Sequence, residues 1–123
     1  MAKYVTFAAF GWLTLTGTLH FAIDVVSQHF RGKHVPGPET TLYYGLHSAF
    51  ALGQVLFGLM CLWATRRQPD LLRDPAVALL ATAGAAAWLT LTFSAMEYRE
   101  PKLNAGIFIA LLLIAIAAER ARA

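Results

Sequence analysis

Four long runs of apolar residues, separated by short polar stretches, dominate the pattern of this chain. They predict helices over residues 4–26, 41–64, 76–96 and 101–120. About 20 apolar residues of helix cross the hydrocarbon core of a bilayer. Lipid cannot hydrogen-bond free backbone groups, so each crossing segment must be helical. We therefore expect an all-α integral membrane protein, a four-helix transmembrane bundle formed by a single domain over residues 1–123.

The polar stretches between the runs carry the residues that stop and start helices. Residues 27–40 include Pro36, Gly37 and Pro38, which is typical of a loop with turns followed by a helix start. In the second stretch, Asp74 is expected to cap the third helix, with Pro75 at its first helical position. These signals fall between the apolar runs and support the same division into four helices.

Composition agrees with a membrane protein. Hydrophobic residues make up 58% of the chain and charged residues only 14%, whereas a soluble domain is about 25% charged. The formal net charge is +3, but no basic stripe is interleaved with aromatic residues, so nucleic acid is not an expected partner and membrane lipid is. The single cysteine, Cys61, excludes an intramolecular disulfide and a multi-cysteine metal site.

Lysine and arginine are divided unequally between the two sides of the predicted bundle. The side with both termini and the second link carries six, namely Lys3, Arg66, Arg67, Arg73, Arg120 and Arg122. The opposite side carries four, namely Arg31, Lys33, Arg99 and Lys102. Because basic residues are enriched in cytoplasmic loops, we expect a multi-pass protein of a bacterial-type inner (cytoplasmic) membrane with both termini in the cytoplasm.

Ionisable residues inside the apolar runs are the main clue to function. His20 and Asp24 lie four residues apart in the first run, which places them on one helical face. His47 is about as deep as His20, roughly 9 Å from the outer end of its own helix, and Glu97 closes the third helix on that side. Such groups are retained in a membrane when they pair, line a cavity or function. We expect His20, Asp24, His47 and Glu97 to form an acid–base group, with His20 as its central acid or base.

Further polar side chains fall on the same faces or at the same level of the membrane. They predict a hydrated pocket open to the outer side, lined by Thr16, Tyr43, Tyr44, Gln54, Ser94 and Asn104. Asp24 or Glu97 would accept a hydrogen bond from one imidazole nitrogen and leave the other nitrogen as acid, base or ligand. The favoured hypothesis is binding of a lipophilic small molecule of the lipid, quinone or isoprenoid type, which these groups are equipped to convert by acid–base chemistry. No cofactor is required.

Three alternatives stay open. His20, His47, Asp24 and Glu97 are suitable ligands for zinc, iron or manganese. The two histidines, on neighbouring antiparallel helices, are also a candidate pair of axial haem ligands. In the third alternative the chain is an accessory or structural subunit of a larger membrane complex, and its polar groups only join helices. The ridge of small residues formed by Gly45, Ala49 and Gly53 would then contact the partner, or a second copy in a homo-oligomer.

One stretch of the chain resembles a pattern in small four-helix bacterial membrane proteins. It covers the first half of the sequence, from Leu19-His20 through Asp24 to Tyr43-Tyr44-Gly45-Leu46-His47-Ser48 and Leu52-Gly53. The resemblance implies the same four-helix fold and carries no activity with it.

Overall fold

The computed structural model describes residues 2–122. In that part of the chain four helices are long and apolar enough to cross a membrane, and no strand is present. They are α1 (Ala2–Phe30), α2 (Pro38–Arg67), α3 (Pro75–Ala95) and α4 (Arg99–Ala121). The prediction of an all-α, multi-pass four-helix bundle is confirmed by helix number, length and composition.

Turn and capping residues decide where these helices end. Helix α1 continues beyond its apolar run to Phe30, and Gly32, with a φ of 60°, lies in the turn that follows. Pro38 occupies the first turn of α2, because its missing N–H is not needed there. As predicted, the Asp74 side chain caps α3, accepting from the backbone N–H groups of Ala76 and Val77 at 2.8 and 3.5 Å. The helices therefore extend past the residues that hydropathy alone selects.

Helix α1 is the centre of the bundle. It packs against α2 on one side and α4 on the other, while α3 packs mainly against α4. Phe10 of α1 contacts Phe57 of α2 and Phe108 of α4, with ring centroids 6.2 and 6.1 Å apart. Trp88 of α3 touches both Phe57 and Phe108 and closes the bundle opposite α1. This aromatic cluster forms the middle of the core.

The close approach of α1 and α2 occurs at Gly17 and Gly58. A Cβ atom on Gly17 would lie 2.9 Å from the Cβ of Gln54, and one on Gly58 would lie 3.1 Å from the carbonyl oxygen of Phe10. In the small-residue ridge, by contrast, a Cβ on Gly45 would meet nothing within 4 Å. The ridge therefore does not form the close helix contact within this bundle, and Gly17 and Gly58 do.

Helix α1 contains an irregular turn at its C-terminal end. Residues Ala22–Ser27 are π-helical, between regular α-helix over Ala2–Phe21 and Gln28–Phe30. Single π-helical turns inside α-helices are frequent at functional sites, because the extra residue re-aims the side chains around it. Asp24 lies in this turn.

Candidate functional site

Three ionisable side chains from two helices meet next to the π-helical turn. The Nε2 atom of His20 lies 2.8 Å from the Nδ1 atom of His47 on α2. The Nδ1 atom of His20 lies 3.0 Å from the Oδ2 atom of Asp24. His20 and His47 are 7% and 3% exposed, and the Asp24 side chain is 13% exposed. The two histidines thus lie side by side at one level of the bundle, and of the two carboxylates considered as partners it is Asp24 that pairs with His20.

The hydrogen bonds determine which ring nitrogens carry protons. An ionised Asp24 carboxylate only accepts, so His20 donates from Nδ1. A neutral His20 then accepts at Nε2, and His47 donates from its own Nδ1. Both nitrogens of His20 are therefore engaged, and the Nε2 of His47 is the unprotonated end of an Asp24–His20–His47 chain. This differs from the expectation that His20 keeps a free nitrogen, because sequence spacing does not show that the two rings meet.

Aromatic rings pack around the two imidazoles. Phe50 lies against His20, with ring centroids 5.0 Å apart, and Tyr43 lies 4.3 Å from His47. Tyr98 is nearly parallel to His47 at 6.4 Å. These rings cover the two imidazoles, and the low exposure of His20 and His47 strengthens the hydrogen bond between them.

Tyr98, in the connection between α3 and α4, is a residue that the sequence analysis missed. Burial raises the pKa of Tyr98, and the adjacent Asp24 carboxylate raises it further, so its hydroxyl stays protonated at neutral pH. Within residues 2–122 this buried hydroxyl has no hydrogen-bond partner of normal geometry. Tyr98 and Asp24 both line a cleft between α1 and the start of α4, so this hydroxyl is a polar group of the site.

A cleft of about 340 Å³ opens beside this chain, between α1 and the start of α4. Its polar lining includes His20, Asp24 and Asn104. Its apolar lining includes Leu19, Ile23 and Leu103, all of which are also exposed on the outer surface of the bundle. A larger groove of about 460 Å³ lies between α1 and α2, but its lining holds no ionisable side chain. Because the smaller cleft is lined by both His20 and Asp24, it is the candidate site.

Three further predicted residues, Thr16, Gln54 and Tyr43, do not line the cleft. Thr16 is buried, but its hydroxyl donates to the Trp12 carbonyl of its own helix at 2.8 Å. Gln54 is buried where α2 meets Gly17. Tyr43 packs on His47, as described above. Neither Thr16 nor Gln54 lines the cleft.

Two predicted residues on the third helix do not reach the site. Ser94 and Glu97 are exposed, and the Glu97 carbonyl accepts from the Lys102 ammonium at 3.4 Å. The predicted helix ran over residues 76–96 with Glu97 closing it, but α3 ends at Ala95 and Met96 is extended. The chain therefore turns before Glu97. The helical pattern predicts that Glu97 faces inward, but in the structure Tyr98 does so instead.

The loop beyond the site is also ordered by aromatic contacts. Tyr44 lies against His29 and His34, with ring centroids 5.9 and 5.6 Å apart. His34 also stacks on Tyr43 at 4.2 Å, and Tyr43 in turn contacts His47. Tyr44 thus belongs to the cover of the site and not to the lining of the cleft.

The direct bond between the histidines bears on the haem alternative. Axial ligands bind haem iron from opposite faces of the macrocycle. With their nitrogens 2.8 Å apart, His20 and His47 leave no space for a macrocycle between them. A haem would require the two helices to separate.

Comparison with known proteins gives no further information about the function of this protein. No protein-family model matches the chain, and neither a curated protein nor a solved structure is significantly similar to it. Its function is therefore inferred from the chemistry of the site.

Proposed function

We propose that the cleft between α1 and α4 binds a lipophilic small molecule of the lipid, quinone or isoprenoid type. The observation that carries this proposal is the composition of the cleft. Its polar floor contains Asp24 and His20, while Leu19, Ile23 and Leu103 line it and are exposed on the lipid-facing surface. A ligand with an apolar body and one polar end matches this distribution.

The Asp24–His20–His47 chain supplies acid–base chemistry at the polar end. Asp24 and His20 line the cleft, whereas His47 does not, so the Asp24 carboxylate is the group that accepts a hydrogen bond or a proton from the polar end of the ligand. His20 donates to Asp24 from Nδ1 at 3.0 Å and holds the carboxylate in place. In this arrangement Asp24 exchanges the proton, and His20 and His47 are positioning residues.

The proposal includes the location of the protein. Six lysine and arginine residues on the side of the termini, against four on the other, favour a bacterial-type inner membrane with both termini in the cytoplasm. The cleft would then open from the outer leaflet.

Filling the cleft tests the proposal without touching its ionisable groups. Leu103→Trp narrows the cleft, and Leu113→Trp is the matched control, because Leu113 is exposed on the same helix and does not line the cleft. Wild-type protein purified in mild detergent should retain a defined lipophile, detected by mass spectrometry of a solvent extract. Leu103→Trp should reduce the retained amount at least tenfold, and Leu113→Trp should not change it.

A second pair of variants tests the polar floor. His20→Leu replaces the ring by an apolar side chain of similar size and should abolish retention while the bundle stays folded. Asp24→Asn should reduce retention less, because an amide still accepts a hydrogen bond from His20 but carries no charge. Equal retention by wild type, Leu103→Trp and His20→Leu would contradict the proposal and remove the cleft from consideration.

A second candidate function is that of an accessory subunit of a larger membrane complex. The observation that favours it is the exposed position of Gly45 and Ala49 on α2, with open space around Gly45, because small residues permit close approach of another helix. A homo-oligomer would use the same surface. Gly45→Leu should then release the partner or dissociate the oligomer in native mass spectrometry, whereas the lipophile-binding function predicts no change in retained ligand.

A further inference from the structure

We propose that His20 and His47 bind one zinc ion, or a similar divalent transition-metal ion, with Asp24 orienting the His20 ring. This site goes beyond the lipophile-binding function and does not depend on it, and an ion between the two rings replaces the hydrogen bond that joins them in its absence. The three side chains are the one group of its kind within residues 2–122: one ligand atom from each lies within 4.8 Å of the others.

The spacing of the two imidazole nitrogens is close to what an ion requires. Zinc–nitrogen bonds of about 2.0–2.1 Å in a tetrahedral site place two ligand nitrogens about 3.3–3.4 Å apart. The Nε2 atom of His20 and the Nδ1 atom of His47 are 2.8 Å apart. A separation of the two rings by about half an ångström therefore admits the ion.

Asp24 supplies the support that metal-binding histidines usually have. Its Oδ2 atom lies 3.0 Å from Nδ1 of His20, the nitrogen that would not face the ion. A carboxylate in this position fixes the tautomer, directs the Nε2 lone pair toward the metal and increases ligand basicity. With two protein nitrogens as ligands, a tetrahedral ion keeps positions for water or for an oxygen of a molecule in the cleft, as catalytic zinc sites keep an open position.

Charge balance favours a cation at this place. With both imidazoles neutral, the buried Asp24–His20–His47 chain carries one negative charge. No lysine or arginine pairs with Asp24 in the part of the chain that the structure describes, and an uncompensated charge at this depth is costly. A divalent ion bound to the two rings offsets this charge and leaves a net charge of +1, which an anionic oxygen ligand such as hydroxide at one of the open positions neutralises.

Metal titration of the purified full-length protein tests this site. After treatment with chelator, wild type should bind one equivalent of Co²⁺ with the strong visible absorption of a tetrahedral ion, and Zn²⁺ should displace it. His20→Gln and His47→Gln should each weaken binding at least tenfold. Asp24→Asn should weaken it about 10–100-fold, as loss of an outer-sphere partner does. His29→Gln, which removes an exposed histidine of the same helix, should have no effect.

A stability measurement distinguishes loss of metal binding from loss of folding in the variants. An ion that binds only the folded state raises the melting temperature, so Zn²⁺ should raise it for wild type and His29→Gln but not for folded His47→Gln. Absence of saturable one-equivalent binding by folded wild type, or full affinity in His20→Gln and His47→Gln, would overturn the site. Lipophile retention by the same samples separates the two proposals. A retained lipophile without metal binding overturns only the metal site, and metal binding without any lipophile overturns only the proposed function.

Discussion

Individual glycines determine how closely α1 and α2 approach each other. At Gly58 a Cβ would lie 3.1 Å from both the Phe10 carbonyl oxygen and the Thr14 amide nitrogen. These are backbone atoms, so they cannot move aside without moving the helix. The Thr14 hydroxyl, which donates to the Phe10 carbonyl at 2.9 Å, fills the same space. Small residues at this point are therefore a packing requirement of the bundle.

We expect Gly58→Ala to destabilise the bundle by about 1–3 kcal/mol, the usual effect of overpacking a well-packed interior. Gly45→Ala is the control, because an added methyl group there meets nothing within 4 Å. It should be neutral or stabilising, since alanine is favoured over glycine in a helix by about 1 kcal/mol. Denaturant titration of the two variants in the same detergent measures both effects. Equal stability would mean that α1 and α2 do not meet at Gly58.

The predicted site and the observed site differ by one position along the chain, since Tyr98 takes the place of Glu97. Sequence spacing selected Glu97, whereas in the structure Glu97 is exposed and the neighbouring half-buried Tyr98 lines the cleft with Asp24, its hydroxyl buried. At the other end of the bundle, Glu119 is completely buried and is paired with Arg122 at 3.4 Å. Its place close to the C-terminus gave no sign of this. Whether a polar residue near a helix end faces inward depends on the packing of its neighbours and not on its type.

At the scale of the elements, the start of α3 and the π-helical turn of α1 differ in whether the local sequence predicts them. The start of α3 is defined by local chemistry, because Asp74 accepts hydrogen bonds from two otherwise unpaired backbone N–H groups. The π-helical turn Ala22–Ser27 has no such local signal and lies where α1 brings Asp24 next to the site. The first feature is readable in the sequence and the second is not.

The cap at Asp74 predicts a measurable loss of stability. We expect Asp74→Ala to lower the free energy of unfolding by about 1 kcal/mol, because the N–H groups of Ala76 and Val77 lose their acceptor. The matched control is Asp70→Ala in the same connection, whose side chain makes no capping bond to the short helical turn that follows. Thermal unfolding followed by circular dichroism compares the two variants. An equal effect of both would show that the cap does not contribute.

At the scale of the whole molecule, the position of the site follows from which helices pack against each other. Because α1 lies between α2 and α4, its inward face carries His20 to His47 on one side and toward the start of α4 on the other. The site and its cleft are both at the end of the bundle that contains the α1–α2 and α3–α4 connections. The side of the membrane on which this end lies decides which leaflet supplies the ligand.

Reporter fusions test that orientation. A fusion after Arg67 and one at the C-terminus should report the cytoplasm, and one inserted between residues 31 and 37 should report the outside. The physical reason is the excess of lysine and arginine on the side of the termini. The reverse pattern of reporter activity would place the cleft at the cytoplasmic leaflet. It would contradict the proposed localisation but leave the fold unchanged.

The sequence by itself determined the number of helices, their approximate limits, the cap of α3 and the position of His20 and Asp24 on one helical face. These features depend on the length of apolar runs, on local hydrogen bonding and on helical periodicity, all of which are local. The tertiary structure decided the direct bond between the histidines, the choice of Tyr98 over Glu97 and the contact at Gly17 and Gly58. In a membrane both the lipid and the protein core are apolar, so hydropathy does not distinguish the face that packs from the face that meets lipid. Only the packed helices determine which polar groups meet.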